Sequence, residues 1–327
     1  MARRLKGKGH AKGLKAALLN HQASVKLSKT IKKKEENKLK QKTQLNKNQK
    51  AQKLQSANQK FIPFERNETL LLVGEGDLSF ARSIVEEDYI LPENLIVTSF
   101  DNSPTELRLK YPHSFEENYE FLVSENVKIF FQIDATKLIK SFKISKHTPW
   151  SKIMGPAWRY KYLQNIMFNF PHTGKGIKDQ DRNIMEHQEL VFGYFDSAKQ
   201  LFQLVNSGKK NTEIGHSQGY SLGNDKDQKG NITEEGYGKI ILSLFNGEPY
   251  DSWSVKILAK NNGLQIERSN KFQWENFKSY NHKRTNSEQD TTKPAKERDA
   301  RIYIFKKFEK YKKKRTKNES DDEDISE

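Results

Sequence analysis

Short apolar runs recur through the middle of the chain, separated by polar stretches with helical spacing. The first run, Leu70-Leu71-Leu72-Val73, is too short and too uniformly apolar for a surface helix, so it predicts a buried parallel strand. It ends in Gly74-Glu75-Gly76-Asp77, and a helical pattern with Phe80, Ile84 and Val85 on one side starts directly afterwards. Runs at 95–100, 127–133, 165–170 and 239–245 predict further strands of the same kind. A helix carrying Glu116, Glu117 and Glu120 precedes the third run. An amphipathic helix from about Asp181 to Val205 follows the fourth, with Ile184, Leu190, Val191, Tyr194, Phe195, Leu201 and Phe202 facing inward. Another holds Trp253, Val255, Ile257, Leu258 and Ala259 and stops at Gly263. Two final runs, about Leu264 to Trp274 and Ala300 to Phe308, have no helix between them. Alternating strands and helices predict an α/β fold, and the closing pair predicts an antiparallel edge on a mostly parallel sheet.

Composition changes this picture at both flanks. With 34% hydrophobic and 31% charged residues, the chain is too polar to be one compact body, so a core domain with solvated appendages is expected. Residues 1–60 are dominated by Lys, Gln and Asn, with Glu35 and Glu36 the only acids, and predict a disordered basic arm. The globular domain is expected over 61–308, with a Gly, Asn, Asp and Lys-rich loop insertion at 207–235 and a charged, disordered tail at 309–327. In that tail Ser320 precedes Asp321-Asp322-Glu323, an acid-directed phosphorylation pattern. A net charge of +16 calls for a polyanionic partner, nucleic acid being the usual one and a histone-like or membrane-surface role the competing reading. Lys32-Lys33-Lys34 reads both as a phosphate-binding run and as a nuclear or nucleolar address. The absence of cysteine excludes disulfides and thiolate metal sites, and the eight histidines show no ligand spacing, so no metal is expected. No apolar run approaches a membrane span, and no signal-peptide pattern is present.

The candidate chemistry sits at the strand ends. Gly74 and Gly76 leave room for close backbone approach, and the helix that follows points its free N–H groups back at the turn. A dinucleotide fingerprint would need a small apolar residue where Ser79 stands, and Glu75 and Asp77 would repel a pyrophosphate. No G-K-[ST] follows, which excludes a P-loop. S-adenosylmethionine fits the charge, since its sulfonium and amino groups are cationic and its ribose offers hydroxyls. Asp101 and Asn102 close the second run, where a carboxylate accepts from ribose hydroxyls or caps the helix ahead of Pro104. Asp134 and Ala135 close the third, where an acid meets the adenine amino group. An ordinary strand-to-helix turn does not require acids at successive strand ends. The cofactor candidates are therefore Gly74, Glu75, Gly76, Asp77, Phe80, Asp101, Asn102, Asp134 and Ala135. Trp150, Trp158, Arg159, Tyr160, Lys161 and Tyr162 read equally as a base-stacking surface or as a loop packed over the sheet. Lys175, Lys178, His282, Lys283 and Arg284 are candidate RNA phosphate contacts, although charge runs are more often solvated faces.

Four stretches carry a resemblance: Gly74-Glu75-Gly76-Asp77-Leu78-Ser79-Phe80-Ala81, Asn169-Phe170-Pro171-His172-Thr173-Gly174-Lys175-Gly176, Phe272-Gln273-Trp274-Glu275-Asn276-Phe277, and the run from Arg284 to Ala295. With them the chain resembles the fungal large-subunit rRNA (uridine-N3) methyltransferase family, a class I S-adenosylmethionine-dependent group, over residues 61–308. The resemblance implies a Rossmann-like, seven-stranded sheet with helices on both faces and S-adenosylmethionine as cofactor. It further implies methyl transfer to N3 of a uridine in large-subunit ribosomal RNA, by a monomer working on pre-ribosomal particles in the nucleolus of the nucleus. The chain departs from many class I enzymes, which carry an acid at the place of Leu72 and a glycine at that of Leu78. Glu75 or Asp77 then stands in for the acid that takes the methionine amino group. N3 of uracil is a poor nucleophile until its proton leaves, so the site needs a proton acceptor and donors to the flanking carbonyls. Asn169, Phe170 and Pro171 are expected against the base edge, with Phe170 stacking on a flipped uracil or packing in the core. His172 is the first candidate acceptor and Asp77 the second, the alternative for His172 being a structural histidine in a tight turn. The rival function is a non-catalytic, RNA-binding ribosome-assembly factor on the same fold.

Overall fold

Leu70 and Leu72 pack against one apolar cluster and Leu71 and Val73 against another, so alternate residues of this first strand feed two cores. A strand buried on both faces requires layers on both faces of its sheet. That is the arrangement in a computed structural model, which describes residues 60–207, 232–285 and 298–308. The expected basic arm, most of the 207–235 insertion, the 309–327 tail and its Ser320 pattern lie outside the described residues.

The elements run β1 (Leu70–Val73), α1 (Ser79–Glu86), β2 (Leu95–Thr98), α2 (Pro104–Lys110), α3 (Phe115–Ser124), β3 (Lys128–Phe130), α4 (Leu138–Ser141), α5 (Trp150–Met154), β4 (Asn165–Asn169), α6 (Gln180–Ser207), β5 (Lys239–Phe245), α7 (Val255–Asn261), β6 (Leu264–Lys271) and β7 (Ala300–Lys307). The seven strands form one sheet in the order β3-β2-β1-β4-β5-β7-β6. The first five are parallel, and β7 lies antiparallel between β5 and the outermost β6. Strand order reverses between β1 and β4, where a crevice opens at the carboxyl ends. Val73 pairs with Phe168, so Gly74 and Asn169 leave their strands side by side.

The second, third and fourth runs are shorter as strands than as apolar stretches. The third stops at Phe130 because Gln132 turns the chain at φ 62°, and the fourth stops at Asn169 because Phe170 turns at φ 46°. The edge strand β6 is mostly exposed, and charged or polar side chains and a bulge between Ile266 and Arg268 discourage further pairing.

One core lies under α6, whose Val191, Tyr194, Phe195, Ala198, Leu201 and Phe202 cover the sheet. The buried Tyr194 hydroxyl sits 3.0 Å from the carbonyls of both Ile166 and Ile241, tying the helix to two adjacent strands. Trp150 and Trp158 are buried here edge to face, so the 143–164 stretch packs over the sheet, with Arg159 and Tyr160 left exposed. The opposite core collects Phe80, Ile84, Phe115, Phe272, Trp274 and Phe277. At the amino ends of the strands, far along the sheet from the crevice, Lys239 Nζ lies 3.3 Å from Glu68 Oε1, and Asn165 Nδ2 donates to Glu68 Oε2 at 3.0 Å. Breaking such a buried pair leaves an uncompensated charge.

The join between β4 and β5 leaves no room for a side chain at Gly238. A Cβ there would stand 2.2 Å from the Gln164 carbonyl oxygen and 2.8 Å from the Phe202 ring. Gly238→Ala is expected to cost about 1–3 kcal/mol of stability, read as a lower denaturant midpoint with an unchanged slope. A wild-type midpoint would mean that this join is not tightly packed.

Candidate active site

The first turn is shaped by what surrounds it. Gly74 takes φ 71°, and a Cβ would lie 2.5 Å from the Phe168 ring, so both conformation and space require glycine. Leu78, in the left-handed region at φ 65°, precedes α1 and offers no side-chain cap. The acids of the turn do this instead. Asp77 Oδ1 accepts from the Ser79 N–H at 3.1 Å and from its hydroxyl at 2.7 Å, and Glu75 Oε2 accepts from the Ala81 N–H at 3.3 Å. Negative charge at a helix N-terminus is favourable. Both carboxyls are nonetheless buried. Burial, and then the charge of Asp77, push the Glu75 pKa up to about 8 against the pull of the Ala81 bond. Burial also raises Asp77, opposed by its Ser79 bonds and by Ser114 and Lys283. Asp77 Oδ2 is buried without a hydrogen-bond partner.

At the second strand end Asp101 is ion-paired with Lys110, whose Nζ also reaches Glu106 Oε1 at 3.2 Å. Asp101 does not cap α2; Ser103 does, its Oγ accepting from the Glu106 N–H at 3.3 Å. Asn102 donates from its backbone and side chain to Glu106 Oε2, each at 3.0 Å. At the third, Asp134 Oδ1 accepts from the Thr136 N–H at 2.8 Å and its hydroxyl at 2.7 Å.

The fourth strand end carries the Asn-Phe-Pro-His motif. Asn169 Oδ1 accepts from the Ser243 hydroxyl at 2.7 Å, while its buried Nδ2 has no partner. The Phe170 ring is enclosed by Phe245, Phe272 and Trp274 at centroid distances of 4.5, 5.3 and 5.5 Å, with His282 at 4.9 Å. Core packing, not stacking on a base, is therefore the role its surroundings allow. His172 Nδ1 accepts from the Gly174 N–H at 2.9 Å, and its ring lies edge-on to His187, 4.9 Å away. Desolvation, and then the charge of His187, lower the His172 pKa, which keeps the ring neutral near pH 7. A neutral imidazole whose Nδ1 accepts carries its proton on Nε2. His172 thus offers a donor at Nε2, and the proton-acceptor role expected of it is corrected on that ground. His187 is fixed in turn, its Nδ1 2.7 Å from the Asn183 carbonyl and its Nε2 facing the Thr173 N–H at 3.4 Å.

A strap from Phe277 to Thr285 crosses the first turn. The Asn281 N–H donates to the Ser79 hydroxyl at 3.3 Å, while the single Ser79 proton goes to Asp77 Oδ1, and the Tyr111 hydroxyl reaches the carbonyls of Arg284 and Thr285 at 2.9 and 3.0 Å. The Tyr280 hydroxyl stands 2.9 Å from His282 Nδ1. Between the strap and the strand ends lies a cavity of about 960 Å³. Its walls include Gly74, Glu75, Gly76, Asp77, Asp101, Asn102, Asp134, Ala135, Asn169, Phe170, His172, Lys175, His282 and Lys283. Such a space can enclose most of a nucleotide-sized ligand.

Four expected site residues are not on its walls. Phe80 lies in the core, 4.9 Å from Phe277 and 5.3 Å from Tyr280, because its helical spacing places it on the apolar side of α1 with Ile84. Pro171 is buried, and Lys178 is exposed away from the cavity. Arg284 meets the Tyr111 hydroxyl through its carbonyl. Conversely, Lys110, Tyr111, Tyr280 and Asn281 line the cavity without having been expected there. Their only sequence signal is adjacency, to the Tyr-Pro-His turn or to the basic triplet His282-Lys283-Arg284. Among the described residues no helix is long and apolar enough to cross a membrane, and no group of three or more His, Cys, Asp or Glu is placed to hold a metal.

The family described as rRNA (uridine-N3-)-methyltransferase BTM5-like matches residues 71–284. The chain is 59% identical over 318 residues, 94% of either length, to the 25S rRNA (uridine(2634)-N(3))-methyltransferase of Saccharomyces cerevisiae. It is 25% identical to heavy metal-associated isoprenylated plant protein 41 of Arabidopsis thaliana, covering 68% of this chain and 34% of that one. Among solved structures it aligns with a 30S ribosomal A1408 methyltransferase from an uncultured bacterium at 10% identity and TM-score 0.35, covering 74% and 89% of the two chains.

The buried Glu75 makes stability fall with pH. Folded, it holds its proton up to about pH 8, whereas unfolded it releases it near 4.5, so the native state binds more protons between those values. Its contribution is complete below the unfolded value and is lost as pH rises through the folded one. The slope from this single group cannot exceed about 1.4 kcal/mol per pH unit. Glu75→Gln is expected to flatten the decline, measured by denaturant unfolding at a series of pH values; an identical decline in the variant would assign it elsewhere.

Proposed function

The chain belongs to the rRNA (uridine-N3-)-methyltransferase family, and from this we propose that its cavity binds S-adenosylmethionine and that it methylates N3 of a uridine in large-subunit ribosomal RNA. One observation carries the reading: Asn169 Nδ2, buried at the cavity wall, makes no hydrogen bond within the protein, and Asp77 Oδ2 makes none of good geometry, although the Ser114 hydroxyl is close enough to act on that carboxyl. Leaving such atoms unpaired costs stability unless a ligand meets them. An acceptor at the glycine turn and a donor at the fourth strand end are what a cationic cofactor and a uracil carbonyl require. A scaffold that only bound RNA would gain nothing from either.

When bound, S-adenosylmethionine supplies a methyl group on an electrophilic sulfonium. Asp77 would hold its amino group, Asp101, paired with Lys110, its ribose hydroxyls, and Asp134 with Ala135 its adenine. Asn169, held by Ser243, donates from Nδ2 to a carbonyl beside N3, and His172 donates from Nε2. Both donors favour the base anion that forms as N3 loses its proton to water. Fixing the base edge against the strand end supplies the in-line geometry. Net charge and the lysine-rich arm support rRNA within pre-ribosomal particles as the substrate and the nucleolus as the location. Lys175, on the cavity wall, and Lys178, beyond it, contact phosphates at its mouth.

The test is methyl transfer to ribosomal RNA lacking the modification, followed by nucleoside analysis for 3-methyluridine. Asn169→Ala is expected to lower single-turnover rates by roughly 10²–10³-fold with cofactor affinity unchanged by calorimetry. His172→Ala is expected to lower them by one constant factor across pH; a factor that vanishes at low pH would restore the base role. Replacing Lys175 and Lys178 together with Ala should flatten the salt dependence of RNA binding by about one unit per lost contact. An unchanged slope would remove both from the RNA surface.

A further inference from the structure

From Ala135 to Lys178 the sequence contains no aspartate or glutamate, yet Lys137, Lys140, Lys143, Lys146, Lys152 and Arg159 all fall within it. The apolar side chains of this stretch set its orientation. Leu138, Phe142, Trp150, Met154 and Trp158 are buried over the sheet, and the Phe142, Trp150 and Trp158 rings meet edge to face at 5.3 and 6.2 Å. Reciprocal backbone bonds between Ser145 and Thr148, at 3.1 and 3.2 Å, close the turn that joins α4 to α5. One side of the 137–159 segment is thus fixed inward as a unit, and its cations are left exposed. Lys137 also reaches the cavity wall. The Ser197 hydroxyl of α6 accepts from the Leu138 N–H at 2.8 Å, so the segment flanks the helix whose Glu186 pairs with Lys175 on that wall.

Elsewhere on the domain many surface cations are met by acids. Lys271, Lys306 and Lys307 on the β6–β7 edge pair with Asp299, Glu267 and Glu235, and Arg66 and Arg108 pair with Asp88 and Glu116. Among the described residues none of Lys137, Lys140, Lys143, Lys146, Lys152 and Arg159 is in an ion pair. The face ends at Lys161, whose Nζ donates to Asn94 Oδ1 at 2.7 Å. Clustered like charges repel one another, a cost that a polyanion removes while its counterions are released. Single-stranded RNA is held by cations together with aromatic platforms for its bases. Here Phe142, Trp150 and Trp158 are turned inward, and of the segment's Phe, Trp and Tyr rings only Tyr160, beside Arg159, is exposed. Cations with so little stacking surface suit phosphates presented on a double helix, which is bound through its shape and backbone.

We propose that the 137–159 face docks the phosphate backbone of double-helical ribosomal RNA flanking the target uridine. The proposal rests on the reading of the chain as an rRNA methyltransferase. Phosphate contacts of this kind orient the substrate and leave the choice of nucleotide to the cavity.

Salt titrations of RNA binding to the full chain test it, with a mixed-sequence RNA duplex and an oligouridine single strand of equal length as probes. Lys140→Gln, Lys143→Gln and Lys146→Gln combined are expected to reduce the duplex salt slope by about 0.9 per lost contact. Duplex affinity should fall roughly 10- to 100-fold at about 0.1 M salt. Lys256→Gln, Lys260→Gln and Lys271→Gln combined remove the same net charge from other exposed positions and should leave the duplex slope at its wild-type value. An unchanged slope in the first variant would overturn the docking face. Equal losses in both variants would overturn it too, reducing the effect to net charge. So would a loss for oligouridine as large as for the duplex, which would mark a single-strand track. The underlying reading fails separately: a wild-type chain that forms no 3-methyluridine in unmodified ribosomal RNA would remove it, whatever the duplex slopes.

Discussion

The first N–H groups of α1 are met by carboxylates of the turn that leads into the helix. Ser79 and Ala81 donate to Asp77 and Glu75, and the two acids are thereby drawn under the strap and out of water. That arrangement fixes the position of everything around it. Gly74 must pass beneath the Phe168 ring, Ser79 becomes the anchor for Asn281, and Asp77 Oδ2 is left buried without a hydrogen bond of good geometry. Burial first, and then the charge of Asp77, raise the Glu75 pKa to about 8, so the turn carries one buried carboxyl that favours its protonated form near neutral pH.

The strand ends share a second device. Leu78, Gln132 and Phe170 all take left-handed backbone angles, at φ 65°, 62° and 46°. Side chains with a Cβ adopt that region at a cost of order 1–3 kcal/mol each, and such residues gather where a site demands a sharp turn. Gln132 and Phe170 bend the chain just beyond β3 and β4, and Leu78 bends it at the entry to α1, so the polar residues that follow these strands share a single crevice. The packing of Phe170 among Phe245, Phe272 and Trp274 offsets its own bend.

Much of this is written in short-range patterns. Leu70–Val73 and Lys239–Phe245 match their strands because both faces of a central strand are buried, and runs this short are too brief for a buried helix. That Asp77, Asp101, Asp134 and Asn169 meet in one crevice was legible because strand ends are visible where the runs stop. The Lys110 partner of Asp101 was not, since that pairing bridges a helix end and a loop and leaves no periodic mark. Phe80 was assigned to the cofactor from its place beside the turn, although its helical spacing with Ile84 already put it on the apolar side of α1, where it is buried. The strap was hardest to read. Residues 277–285 have no regular structure, and their positions depend on hydrogen bonds to Ser79 and Tyr111 from far away in sequence. A basic triplet there looks like any solvated charge run until its anchors are known.

The distance in sequence between the turn and the strap has a bearing on biosynthesis. The ribosome delivers the lysine-rich stretch and the glycine turn long before it delivers Asn281 and Lys283. A growing chain can pair its early strands yet has an open roof over Asp77 until the strap is out of the exit tunnel. Positive charge that draws polyanions is therefore present in the nascent polypeptide well before the roof over Asp77 can close.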